Sequence, residues 1–380
     1  MSCYLDNAAT TSLSSEMIEY LISTFDIFGN PSSVHSEGIK TKRLIEDVRK
    51  KTSRFINSDS ADNICFTSSG SASNALGIQG FAIANKCTIL YSPAVHKSIL
   101  KTIHNLGEYH GVGSGQLEID SCGNIDINYL KYAVQTGCYQ KLVVVDYANS
   151  EIGTIQNIKE IANVVHPYGS YTGNKLFVDC TGSMSSIPLD VVGLNIDIAS
   201  FSAHKIGALK GVGVLYKKSN IELAPLICGS QEQGLFAGTE NLLGILSLGK
   251  AIDLMKYDKT SHNRDFVWDN IKNIEGITLV GAPLNNNRLI NNLYICIDGV
   301  NGNDIVAIMD DVYKIQISTG SACNNGTSLP SSTALAIGLS EAEANSCVRI
   351  SFSGNETNDE LLEFCKNFST CIKMLRDLND

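Results

Sequence analysis

Lys141-Leu142-Val143-Val144-Val145-Asp146-Tyr147 carries four aliphatic residues in an unbroken row, three of them β-branched. A strand with one wet face alternates apolar and polar side chains. An unbroken row instead suits a strand buried on both faces of a parallel sheet. Outward from it, short apolar runs recur at 63–67, 87–91, 175–179, 196–201 and 213–216, with helical patterns such as 72–84 and 158–166 between several of them. This alternation predicts an α/β fold: a large domain with a mainly parallel sheet between helices. Near 250–259 the pattern changes to a long polar helix. Beyond it, 293–297, 315–318 and 348–352 read as strands spaced among helices, a smaller α+β domain. The expected division is a large domain over 15–255 and a small one over 1–14 and 256–380.

The bulk numbers agree with a globular protein of two cores. At 380 residues the chain exceeds what one core usually supports, and 43% of it is hydrophobic. No solenoid-type repeat is visible. The net charge of −10, with no basic stripe, argues against direct grip on nucleic acid. The 12 cysteines include no C-x-x-C pair, so neither a zinc ribbon nor a thioredoxin-like pair is expected, and no metal site is predicted. The opening Met-Ser-Cys-Tyr-Leu-Asp does not read as a secretory signal, and no apolar run approaches the ~20 residues that span a bilayer. A cytoplasmic protein with mostly free thiols and no membrane contact is the expectation.

Polar residues gather where the predicted strands end, the edge at which open α/β sheets bind ligands. Ser68-Ser69-Gly70-Ser71 follows a strand and opens a helix. It reads either as a plain serine-capped turn or as a loop whose backbone N–H groups receive an anion. Asp179 ends the strand 175–179, either capping a turn or holding a protonated ring nitrogen. Ser200-Phe201-Ser202-Ala203-His204-Lys205 precedes the glycine-rich stretch 207–213. Lys205 is a solvated cation or, desolvated there, a Schiff-base nucleophile. His204 and Ser202 beside it are candidate phosphate donors. His96 is a capping histidine or an imidazole stacked on a ring. Arg349, a charge inside a strand pattern, needs a partner: a structural carboxylate or a bound one. Cys323 alone among the cysteines is flanked on both sides by small, polar residues, in Ser321-Ala322-Cys323-Asn324-Asn325-Gly326. It is either incidental or a thiol able to travel to a substrate.

Taken in order, these segments resemble the cysteine desulfurases of the class V aminotransferase group. The resemblance runs from Tyr4-Leu5-Asp6-Asn7-Ala8-Ala9-Thr10-Thr11 through Phe28-Gly29-Asn30-Pro31-Ser32-Ser33-Val34-His35, Asn149-Ser150-Glu151-Ile152-Gly153, the 200–205 stretch and Ser321-Ala322-Cys323 to Arg349-Ile350-Ser351. It implies the fold of the PLP-dependent transferases (fold type I), pyridoxal 5'-phosphate (PLP) as cofactor and L-cysteine as substrate. Lys205 would hold PLP covalently, Asp179 would pair with the pyridine nitrogen, and His96 would stack on the ring. Asn149 would lie near the ring hydroxyl and the substrate, while Gly70, Ser71, Ser202 and His204 would bind the phosphate. Thr239 would reach the phosphate of a neighbouring subunit, implying a homodimer. Asn30 and Arg349 would hold the substrate carboxylate. Cys323, on a mobile loop at about 318–335, would take the sulfur as a persulfide. It would then deliver that sulfur to an acceptor protein of iron–sulfur assembly, tRNA thiolation or DNA phosphorothioation.

The chain also departs from that family's pattern. Gly182 stands where a glutamine is expected, Val95 where a carboxylate precedes the histidine, and Gln233 and Phe236 where arginines are common. Ala237 replaces a serine and Ala75 an asparagine. These changes imply weaker cofactor retention or slower turnover in a specialised branch. The rival readings are a selenocysteine lyase, another class V PLP enzyme, or a near-inactive scaffold subunit.

Overall fold

The computed structural model describes residues 3–137, 139–167, 173–257, 261–320 and 329–379. In chain order the strands are β1 (Cys3–Tyr4), β2 (Ile64–Thr67), β3 (Thr88–Tyr91), β4 (Ser114–Gln116), β5 (Lys141–Asp146), β6 (Lys175–Asp179), β7 (Ile198–Ser202), β8 (Gly213–Lys217), β9 (Ile277–Leu279), β10 (Asn292–Ile297), β11 (Ile315–Gln316) and β12 (Cys347–Ser351). Seven of them form one sheet in the order β2-β8-β7-β6-β5-β3-β4. Pairing is parallel from β4 through β7, while β8 runs antiparallel to both of its neighbours.

The unbroken apolar row on β5 does what its composition dictates. Val143 and Val145 enter one hydrophobic core with Val178 and Phe201, while Leu142 and Val144 enter the core on the opposite face with Phe177 and Leu215. Successive side chains of a strand point to opposite faces, so only a sheet covered on both sides accepts four aliphatics in a row. The helix Gly70–Asn85 covers the second face, and Gly77 lets it approach so closely that a Cβ there would stand 3.1 Å from Ile198 Cγ2.

A second sheet, β12-β10-β9, is antiparallel. One face packs Leu293, Ile295, Val348 and Ile350 into a separate core with Phe364 and Phe368 of the helix Asn358–Asn379. The other face carries Tyr294, Cys296 and Cys347 against Ile152 and Ile337. The amino-terminal segment joins this part of the molecule: β1 pairs in parallel with β11, and Asp6 bridges Ser351.

Two expectations need correction. The long polar helix expected over 250–259 is instead the end of a mostly buried helix, Leu242–Leu254, which Met255 leaves with extended backbone; the next described helix starts at Ser261. The strand expected over 315–318 stops at Gln316, and Ser318 keeps only an isolated bridge to Arg349. The strand expected over 175–179 keeps both its bounds, and the ends of the others lie within two residues of expectation. The edge strand β4, Ser-Gly-Gln, has no apolar pattern that could have announced it.

Candidate active site

Because β5, β6 and β7 are parallel, their carboxyl-terminal residues Asp146, Asp179 and Ser202 reach the same edge of the sheet. There they line a cavity of about 390 Å³ together with Gly70, Ser71, His96, Asn149, His204, Lys205 and Arg349. The fold thus brings together nine of the residues singled out in the sequence. Asn30 and Thr239 are exposed and lie outside this cavity. Cys323 lies outside the described residues.

At one end of the cavity Gly70 opens its helix behind Ser69, whose hydroxyl accepts the Ala72 N–H at 3.1 Å. A Cβ on Gly70 would stand 3.1 Å from Ser202 Cβ and 3.4 Å from Thr181 Oγ1. The Thr181 hydroxyl is buried and has no hydrogen-bond partner among the described residues. A helix start with free N–H groups beside an orphaned hydroxyl is a seat for an anion such as phosphate. His204 also lines the cavity, and burial first, then Lys205 and Lys210, lower its pKa to about 4.

Beside that seat, at the end of β6, Asp179 accepts the Thr181 N–H at 2.8 Å and the Asn74 amide at 2.9 Å, one on each carboxylate oxygen. Asn74 also donates to Ser98 Oγ at 3.1 Å, and Ser98 Oγ lies 2.8 Å from His96 Nδ1. Since His96 Nδ1 also accepts the Ser98 N–H at 3.2 Å, the neutral ring carries its proton on Nε2. Asn74 therefore ties the aspartate to the histidine. Nothing in its helical sequence context marks it, and only the packing of that helix over β6 and β7 reveals it.

Asp146 was equally silent in the sequence. It is the register partner of Asp179 on the neighbouring strand and is buried. Burial, reinforced by the Asp179 charge, pushes its pKa up to about 7. Glu151, also buried, accepts the Tyr294 hydroxyl at 3.1 Å and the Ser331 hydroxyl, and burial raises its pKa as well.

Lys205 follows β7 through a short turn, and its Nζ donates to the carbonyls of Ala8 and Ala9, the latter at 2.8 Å. Asn149 spends its side chain on the loop: Nδ2 donates to Ala94 O at 2.8 Å, and Oδ1 accepts from the Glu151 and Ile152 amides. Arg349 has the structural partner that its sequence reading left open, with Nη2 2.7 Å from Asp6 Oδ1. Its Nε is buried without a partner, and its side chain lines the cavity.

The departures acquire physical form. A side chain at Gly182 would run into the Ala148 carbonyl, so the loop 148–150 occupies the space a glutamine would need. Val95 is buried, and Gln233 holds a left-handed backbone at φ 60° while donating to Asp62 O at 2.6 Å. Among the described residues no cluster of histidine, cysteine, aspartate or glutamate could hold a metal, and no helix is long and apolar enough to cross a membrane.

The chain belongs to the aminotransferase class V family, whose model matches residues 3–364. A relative named cysteine desulfurase IscS 1, from Archaeoglobus fulgidus, is 33% identical over 387 residues, covering 99% of this chain and 98% of its own length. The solved structure of a NifS-like protein superposes with a TM-score of 0.89 at 27% identity, over 99% of this chain and all of that one. A structure described as SspA in complex with cysteine gives a TM-score of 0.80 at 29% identity, over 94% of this chain and all of that one. The fold is accordingly that of the PLP-dependent transferases, fold type I.

Proposed function

We propose that this protein is a PLP-dependent cysteine desulfurase, which converts L-cysteine to L-alanine and leaves the sulfur as a persulfide on Cys323. The observation that carries the reading is the convergence of Lys205, Asp179, His96 and the Gly70 helix start on one cavity, in a chain whose relatives bear that activity in their names. The residues fit the cofactor. An orphaned Thr181 hydroxyl and free helix N–H groups suit a phosphate, and a doubly hydrogen-bonded Asp179 suits a protonated ring nitrogen.

In this reading Lys205 would hold PLP, Asp179 would face the ring nitrogen, His96 the ring face, and Asn149 the ring hydroxyl. Gly70, Ser71, Thr181, Ser202 and neutral His204 would hold the phosphate. When bound, PLP delocalises the electron pair left at the substrate Cα on proton loss. The Lys205 amine takes that proton, and the carbonyls of Ala8 and Ala9 hold Nζ at the cavity wall. Arg349, which lines the cavity and whose Nε is buried with no partner among the described residues, would hold the substrate carboxylate; Asn30, exposed outside the cavity, would join that hold only by moving to the bound substrate. The Cys323 thiolate attacks the substrate sulfur: an S–S bond forms, the Cβ–S bond breaks, and Cβ keeps the electron pair and is protonated; Lys205 then returns its proton to Cα, which gives alanine.

The core around the seven-stranded sheet would be the large domain, 15–255. Segments 1–14 and 256–380 would form the small one. A homodimer in which Thr239 serves the neighbouring subunit's phosphate, a cytoplasmic setting and a protein sulfur acceptor complete the proposal. The cofactor assignment is tested by borohydride reduction of the purified protein, then digestion and peptide mass spectrometry. The pyridoxyl group is expected on the peptide containing Lys205, and its appearance on another lysine would overturn the assignment.

A further inference from the structure

Cys296 on β10 and Cys347 on β12 are cross-strand partners in register. The Ile297 N–H donates to Ser346 O at 3.0 Å, which makes 296/347 a non-hydrogen-bonded pair of the antiparallel ladder. In such pairs the Cα atoms stand about 4.5 Å apart, inside the range a disulfide spans. Both sulfurs also converge on one oxygen: the Glu343 carbonyl lies 3.5 Å from Cys296 Sγ and 3.2 Å from Cys347 Sγ. Cys365 and Cys371, by contrast, share the helix Asn358–Asn379 at a spacing that puts them on different faces.

We infer that Cys296 and Cys347 form a reversible disulfide when the protein meets a peroxide, an oxidation site distinct from the cavity and from Cys323. The chemistry balances within the pair and its oxidant. The Cys296 thiolate attacks one peroxide oxygen, an S–O bond forms, the O–O bond breaks, and the leaving oxygen departs as water after protonation. The Cys347 thiol then attacks that sulfur: S–S forms, S–O breaks, and a second water leaves. Two thiols are oxidised by two electrons and hydrogen peroxide is reduced to two waters.

The order of attack follows from the surroundings. Cys347 is fully buried, and its hydrogen bond with Cys296 and then burial raise its pKa, whereas Cys296 keeps 8% of its surface open and the neighbouring Cys347 thiol draws its pKa below the usual thiol value. The pair also sits one pleat step from Tyr294 and Arg349, themselves register partners that contact Glu151 and Asp6. Oxidation therefore occurs on the strands that carry the cavity's arginine.

The test uses the full-length holoprotein, as wild type and as Cys323→Ser, which removes the proposed persulfide-forming thiol. Each is exposed to hydrogen peroxide, unfolded in N-ethylmaleimide and digested without reductant. The expected result, in both proteins, is a peptide containing Cys296 linked to one containing Cys347, lost on dithiothreitol treatment and absent from Cys296→Ser. Either of two results would overturn the inference: Cys296 carried to the sulfinic acid without a link, or both thiols recovered as maleimide adducts while the exposed Cys228 is oxidised.

Discussion

Asp146 and Asp179 end neighbouring parallel strands in register, so two carboxylates share the floor of one cavity. They are not equivalent. Asp179 is held by the Asn74 amide and the Thr181 N–H, whereas burial and the Asp179 charge leave Asp146 with a pKa of about 7. A folded-state pKa raised above the unfolded value of about 3.8 means that the folded protein binds this proton more tightly. The carboxylate then costs nothing below pH 4 and destabilises increasingly as pH rises toward 7. Asp146→Asn is therefore expected to raise the unfolding free energy of the cofactor-free protein at pH 8 by on the order of 2–4 kcal/mol, with the gain shrinking toward pH 5. Urea titrations at the two pH values check this; equal gains at both would refute it. Lys205, Asp179 and His96 were legible because each follows an apolar run and sits in a recognisable local string. Asn74 and Asp146 were not, because their roles exist only once one helix lies across β6 and two strands fall into register.

At the scale of elements, the glycine of β8 shows how a strand can govern a loop that follows its sheet neighbour β2, far away in sequence. Gly213 is paired to Thr67, and a Cβ there would collide with the Ser69 backbone and with Thr67 Oγ1. The strand β8 thus sets where the Ser69–Gly70 turn and the helix N-terminus behind it can lie. Gly213→Ala is expected to displace that turn at an overpacking cost of about 1–3 kcal/mol and to weaken PLP binding about tenfold or more. Fluorescence titration of the cofactor-free protein checks this, and an unchanged dissociation constant would contradict it. The apolar rows made the buried strands readable, since a row buried on both faces has few alternatives. Edge elements such as β4 and β9 were unreadable because half-exposed strands of three residues carry too little pattern. The polar stretch at 250–259 misled because polarity marks solvent exposure and not helix length; the helix there is fixed by the buried face of Leu242–Leu254.

For the whole molecule, the cavity is a meeting place of distant chain segments. Ala8 and Ala9 come from the amino terminus, Gly70 and His96 from the first strand–helix units, Lys205 from the centre, and Thr333 and Arg349 from the carboxyl-terminal third. The Asp6–Arg349 ion pair joins the two ends of the chain at the cavity rim, with Arg349 only 3% exposed. Sequence order preserved these pieces as separate strings and could not show that they close on one volume, because that depends on long-range packing. The departures at Gly182, Val95 and Gln233 leave Lys205, Asp179 and His96 in the cavity, a set that supports turnover and not only binding. The most direct test is alanine released from L-cysteine in the presence of a thiol, by the PLP-loaded wild type and by Cys323→Ser. Alanine from the wild type and none from the variant is the predicted result. Alanine from both would remove Cys323 from the reaction, and none from either would contradict the desulfurase assignment itself.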